Sequence, residues 1–254
     1  MMNAARSRYC APRRAGNFAI VLAVGLIGLS CDQSTGLQSG PPTSVGVLGG
    51  QDQIAVVGHE LPMALSVKVA DGWGTPIVDQ PVVFQVTGGG GSVSDFVVPT
   101  SADGVATTKW TLGTSTSVSQ VLQAQVVDAT TRDILLLVYF YATAQADAPA
   151  SLQKTAGDGQ TAAAGTAVAN RPTVKAVDRY SNPVAGKDVV WRIATGGGKI
   201  AGGATATSQT NASGVATPPG SWILGSAPGA NTLTATITGA PAVTFFATGV
   251  TGPP

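Results

Sequence analysis

The chain states one pattern twice, and this repeat limits its possible folds more than any other feature. Val69-Ala-Asp71-Gly-Trp73-Gly-Thr-Pro76-Ile77 leads into Val82-Val-Phe84-Gln-Val86 and then Gly88 to Gly91. Further along, Val177-Asp178-Arg-Tyr180-Ser-Asn182-Pro183-Val184 leads into Val189-Val-Trp191-Arg-Ile193 and then Gly196 to Gly198. The agreement continues with Gly104-Val-Ala-Thr107 against Gly214-Val-Ala-Thr217, and with Trp110-Thr-Leu112-Gly113 against Trp222-Ile-Leu224-Gly225. It closes with Phe140-Tyr-Ala-Thr143 against Phe245-Phe-Ala-Thr248. Two homologous units are expected, residues 41–146 and 148–251, each of a size that one sandwich domain fills.

Within each unit the apolar period is two. Met63, Leu65, Val67 and Val69 alternate with Ala64, Ser66 and Lys68, while Leu233, Ala235 and Ile237 alternate with threonines. Such runs bury one face and wet the other, as strands of an antiparallel sandwich do. The 33 glycines and 16 prolines punctuate these runs with turns, at Thr75-Pro76, Asp103-Gly104 and Asn182-Pro183 among others. The tryptophans at 110, 191 and 222 fall on the buried phase of their strands and read as core. The expected class is all-β: two tandem immunoglobulin-like antiparallel β-sandwiches after an N-terminal signal segment. The short linker around Pro149 predicts end-to-end domains.

The first thirty residues read as a signal peptide. Arg6, Arg8, Arg13 and Arg14 precede an apolar run from Phe18 to Leu29, followed by Ser30, Cys31 and a polar, glycine-rich tether over 31–40. The run is about a dozen residues, shorter than the roughly 20 needed to span a bilayer as a helix. Cys31 stands where a bacterial lipoprotein signal places the cysteine that receives diacylglycerol, although Gly28 occupies the position usually held by leucine. Lipidation at Cys31 is the expectation, with cleavage near Ser30 and a free thiol as the alternative. Cys10 lies in the discarded part, so no disulfide is expected. The arginines of the signal leave ten basic against 13 acidic side chains in the remainder. That balance, without a basic stripe, argues against a nucleic-acid partner.

The ordered succession of motifs resembles bacterial immunoglobulin-like domains of group 1, the invasin and intimin type. The second unit carries the pattern throughout, in Asp178, Asn182-Pro183-Val184, Val189-Val-Trp191, Gly196 to Gly198, Gly214-Val-Ala216 and Phe246-Ala-Thr248. The first departs at its turn, with Thr75-Pro76-Ile77. The resemblance implies a surface-displayed sandwich used in tandem as a spacer, sometimes tipped by an adhesive domain; none is visible after the second unit.

Chemistry-bearing residues are few. His59 is the one histidine; His59-Glu60-Leu61-Pro62-Met63 begins like a zinc-protease motif, but Met63 stands where the second histidine belongs and Pro62 would break the helix. No Gly-x-Ser-x-Gly elbow supplies a nucleophile. Asp71 and Asp178 each stand alone before a turn, which suits capping better than calcium binding. The glycine runs lack the Lys-Ser or Lys-Thr of a phosphate loop and read as flexible loops between strands. No catalytic residue, cofactor or metal is expected.

The functional expectation is a non-enzymatic envelope protein, exported and lipid-anchored through Cys31 on the periplasmic or cell-surface side. Its sandwiches would serve as a spacer or an adhesion-type, protein-binding module. A carbohydrate-binding module is the first alternative, with the turn aromatics Trp73 and Tyr180 as the ligand-facing candidates. An accessory domain partnering a secreted enzyme is the second.

Overall fold

Strict alternation along the strands puts every second side chain into a core, and two such cores form. The computed structural model describes residues 39–252. The expected signal peptide, Cys31 and the part of the expected tether up to residue 38 lie outside the described residues. The first half contains β1 (Ser44–Gly49), β2 (Gln53–Val56), β3 (Leu65–Ala70), β4 (Pro81–Gly88), β5 (Gly91–Val93), β6 (Val97–Pro99), β7 (Val105–Thr108), β8 (Trp110–Leu112), β9 (Gln120–Val127) and β10 (Ile134–Gln145). The second half repeats them as β11 (Ser151–Ala156), β12 (Gln160–Ala163), β13 (Thr173–Val177), β14 (Asp188–Thr195), β15 (Lys199–Ile200), β16 (Thr205–Gln209), β17 (Val215–Ala216), β18 (Trp222–Ile223), β19 (Gly229–Ile237) and β20 (Ala240–Val250). No helix occurs among the described residues.

The sheets correspond strand for strand. A three-stranded sheet β1-β3-β7 faces a five-stranded sheet β2-β10-β9-β4-β6, with the ribbon β5-β8 beside them. The second copy has β11-β13-β17, β12-β20-β19-β14-β16 and the ribbon β15-β18. In each copy the first strand crosses from the small sheet to the large one, where its continuation pairs parallel to the last strand, β2 on β10 and β12 on β20. The crossing needs glycine: a Cβ on Gly50 would stand 2.7 Å from the Ala64 carbonyl oxygen, and one on Gly157 2.6 Å from that of Arg171. The fold is all-β and immunoglobulin-like, as the period-two runs predict.

Register aligns the buried phases. Val82, Phe84 and Val86 of β4 pair with Val126, Ala124 and Leu122 of β9. In the second copy Trp191 and Ile193 of β14 pair with Ala235 and Leu233 of β19. The first core gathers Val67, Phe84, Trp110, Leu122 and Phe140; the second gathers Val174, Trp191, Trp222, Leu233 and Phe245. All ten are fully buried, and each such aliphatic or aromatic side chain contributes about 1.5–3 kcal/mol. One further buried feature is shared: the indole N–H groups of Trp110 and Trp222 have no acceptor among the described residues, whereas that of Trp191 donates to Ser208 Oγ at 2.9 Å.

Candidate functional site

The turn aromatics singled out by sequence, Trp73 and Tyr180, lie at sandwich ends, and the backbone N–H of each is held by an aspartate. Asp71 follows β3, and its Oδ1 accepts the Trp73 and Thr75 N–H groups at 3.0 and 2.8 Å, while Oδ2 accepts Gly40 N–H at 3.1 Å. Asp178 does the same after β13, accepting Tyr180 and Asn182 N–H at 2.8 and 2.9 Å on Oδ1 and Asp147 N–H at 3.0 Å on Oδ2. Both carboxylates therefore tie the segment entering a sandwich to the loop after its third strand. Burial pushes each carboxyl up, but the donated hydrogen bonds outweigh it: both sit below the usual carboxylate value, Asp71 through the N–H groups of Gly40, Thr75 and Trp73, Asp178 through the Asn182 side chain and the N–H groups of Asp147, Asn182 and Tyr180.

The loop after β13 also joins the sandwiches. Asn182 is buried, and its side chain bridges to the loop between β8 and β9: Nδ2 donates to the Thr114 carbonyl at 2.8 Å, and Oδ1 accepts Thr116 N–H at 2.9 Å. The same amide donates to Asp178 Oδ2 at 2.9 Å. Thr75 holds the equivalent place in the first copy and carries no amide.

The two turn aromatics are not brought together. Trp73 lies at the end of the first sandwich where the chain enters it, and is 85% exposed. Tyr180 is 38% exposed and lies at the junction, where a Cβ on Gly58 would stand 3.1 Å from its hydroxyl. The Arg179 guanidinium sits 4.7 Å from the Tyr180 ring centroid and pairs with Asp147 at 3.3 Å. Equivalent sequence positions thus face different surroundings.

The chemistry-bearing residues are dispersed. His59 is exposed, its Nδ1 3.1 Å from the Val57 carbonyl oxygen, and Glu60 pairs with Lys109 at 2.9 Å. Among the described residues, no three of His, Cys, Asp and Glu gather as a metal site would require. The glycine runs differ from the expected flexible loops. Each packs onto the strand end opposite, so that a Cβ on Gly113 or Gly225 would lie 1.7 Å from the carbonyl oxygen of Gly89 or Gly196.

One surface escaped the sequence reading. On the outer face of β10, Leu137, Tyr139 and Tyr141 are exposed in alternation, with the tyrosine rings parallel to within 20° and 6.4 Å apart. Tyr139 lies in one row with Gln123 and Gln85, and Leu137 in the next with Gln125 and Val83. The detectable signal was Ile134 to Tyr141, a run apolar on both phases in a chain whose other strands mostly alternate.

Among solved structures, the chain is similar to the Escherichia coli adhesin FdeC, at 20% identity and a TM-score of 0.51, over 85% of this chain. The fold is that of this bacterial adhesin. The matched region spans 66% of the FdeC structure. Looser likenesses are to the D00-D0 domain of intimin, at 17% identity and a TM-score of 0.41 over 80% of this chain and 98% of that one, and to the Yersinia pseudotuberculosis adhesin InvE, at 16% and 0.35 over 81% and 58%. No family model matches the sequence, and no curated protein matches it.

Proposed function

We propose that this chain is a non-enzymatic, exported cell-envelope protein, anchored through lipid on Cys31. Its two immunoglobulin-like sandwiches act as a spacer and adhesion-type module that presents a binding surface to a protein or glycan partner away from the membrane. The observation that carries this reading is the junction. A spacer must transmit position from one domain to the next, and Asn182 bonds both to the loop of the preceding sandwich and to the aspartate that organises its own. The likeness in fold to an adhesin supports the same reading. The residues before Cys31 have the order of a lipoprotein signal.

The test is metabolic labelling with radioactive palmitate, combined with protease added to intact cells. Label is expected in the wild type and absent from Cys31→Ser, and the chain should be cleaved without lysis. Equal labelling of the two proteins ends the anchor. Resistance to protease until the envelope is opened removes surface display and moves the chain to the periplasmic side.

A further inference from the structure

The geometry points to the outer face of the five-stranded sheet of the first sandwich as a binding platform for a neutral polysaccharide. Tyr139 and Tyr141 would stack against the C–H faces of its sugar rings, and glutamine amides would bond its hydroxyls. The proposal rests on the surface reading above only in placing this face within reach of polysaccharide.

Three observations carry it. The first is the side-chain chemistry. Across β4, β9 and β10 the face presents Val83, Gln85, Gln123, Leu137 and the two tyrosines, with Gln125 buried in the same rows, and none of them is charged at neutral pH. Gln125 Nε2 donates to Gln123 Oε1 at 2.7 Å and to Gln85 Oε1 at 3.2 Å. The amide N–H groups of Gln85 and Gln123 make no hydrogen bond among the described residues. An exposed ring attracts polarised C–H groups through its negative face, and free amides want hydroxyl or carbonyl acceptors. A ligand that alternates C–H and O–H every few ångströms satisfies both. An anion or a cation finds no countercharge here.

The second is a cleft at the end of the platform. About 320 Å3 opens between Tyr141, Thr143 and the loop carrying Thr116, Ser117 and Ser119. This is within the range of small-molecule sites, and its lining is rich in hydroxyls.

The third is the chain's own control. In the second sandwich the row equivalent to Tyr139, Gln123 and Gln85 is Thr244, Thr234 and Arg192. The place of Tyr141 is taken by Phe246, over which Lys154 Nζ sits 5.5 Å from the ring centroid. The same fold closes with a threonine face bearing charge, so packing does not demand the tyrosines and glutamines of the first.

The test is affinity electrophoresis of the purified full chain in native gels. The gels contain xylan, laminarin, mannan or dextran, with polygalacturonate as the anionic control. At least one neutral polymer should retard the wild type. Tyr139→Thr combined with Gln123→Thr, which installs the pair the second sandwich already accommodates, should weaken that retardation about tenfold or more, as should Tyr141→Ala. Circular dichroism and sedimentation velocity of each variant accompany the gels. Absence of retardation by every neutral polymer overturns the proposal, as does retardation that both folded variants retain. Concentration-dependent dimerisation abolished by the same substitutions would give the face to a second copy and overturn it too. Palmitate labelling is untouched by any of these results, so the anchor and the platform fail separately.

Discussion

Asp71 and Asp178 show how one carboxylate organises a chain end. Each gathers three backbone N–H groups from two segments, and each is held below the usual carboxylate value against the opposing effect of burial. A carboxyl with a lowered folded value binds fewer protons folded than unfolded. Its contribution to stability is complete above the unfolded value near 3.8 and disappears as pH falls through the folded value. Thermal unfolding is expected to be insensitive to these groups between pH 5 and pH 7 and to move to lower temperature below about pH 4. Asp178→Asn should flatten that acid limb; an unchanged acid limb in the variant would show that other groups govern it. The aspartate-before-turn signal was readable in the sequence, because a lone Asp ahead of Asn-Pro or Thr-Pro has backbone donors as its nearest partners. What was not readable is that Asn182 would turn its amide to another domain, since its partners Thr114 and Thr116 are far away along the chain.

At the scale of strands and turns, the glycine runs and β10 are instructive. Gly113 follows β8 directly and Gly225 lies two residues beyond β18, and the bend that follows β4 or β14 presses its backbone directly onto them. Gly113→Ala and Gly225→Ala should each destabilise by about 1–3 kcal/mol or more, because a methyl group at 1.7 Å from a carbonyl oxygen forces the backbone apart. Urea unfolding measures this. A loss under about 0.5 kcal/mol would mean the bend yields freely. Sequence reading located these glycines but not their role, because a run of glycine is equally consistent with a loose loop and with close backbone contact. The alternation in β3, β4, β9 and β19 fixed which phase is buried. In β10 both phases are apolar, so periodicity alone left its outer face ambiguous, and only the absence of a covering layer among the described residues leaves Tyr139 and Tyr141 exposed.

For the whole molecule, the repeat carried through to a strand-for-strand copy, with two cores that share no buried residue. We propose that residues 41–146 and 148–251 are separate folding domains on this basis. A protein of residues 148–254 should fold alone and give a β-type circular dichroism spectrum. It should be less stable than the same sandwich in the full chain by about 1–3 kcal/mol, since Asn182 there loses its acceptor Thr114 and its donor Thr116. A helical or unfolded spectrum would refute the domain assignment; equal stability would show that the junction contributes nothing to folding.

The all-β class, the tandem arrangement and the buried phase of most strands followed from the sequence by itself, because period-two burial and turn chemistry are local properties that each copy repeats. The side-chain clamp at the junction, the close contact of glycine with glycine and the exposure of the tyrosine face were decided by tertiary structure. Each depends on which distant segment, or none, lies against a given surface, and residues far apart in the chain acquire that relation only when the sheets have closed.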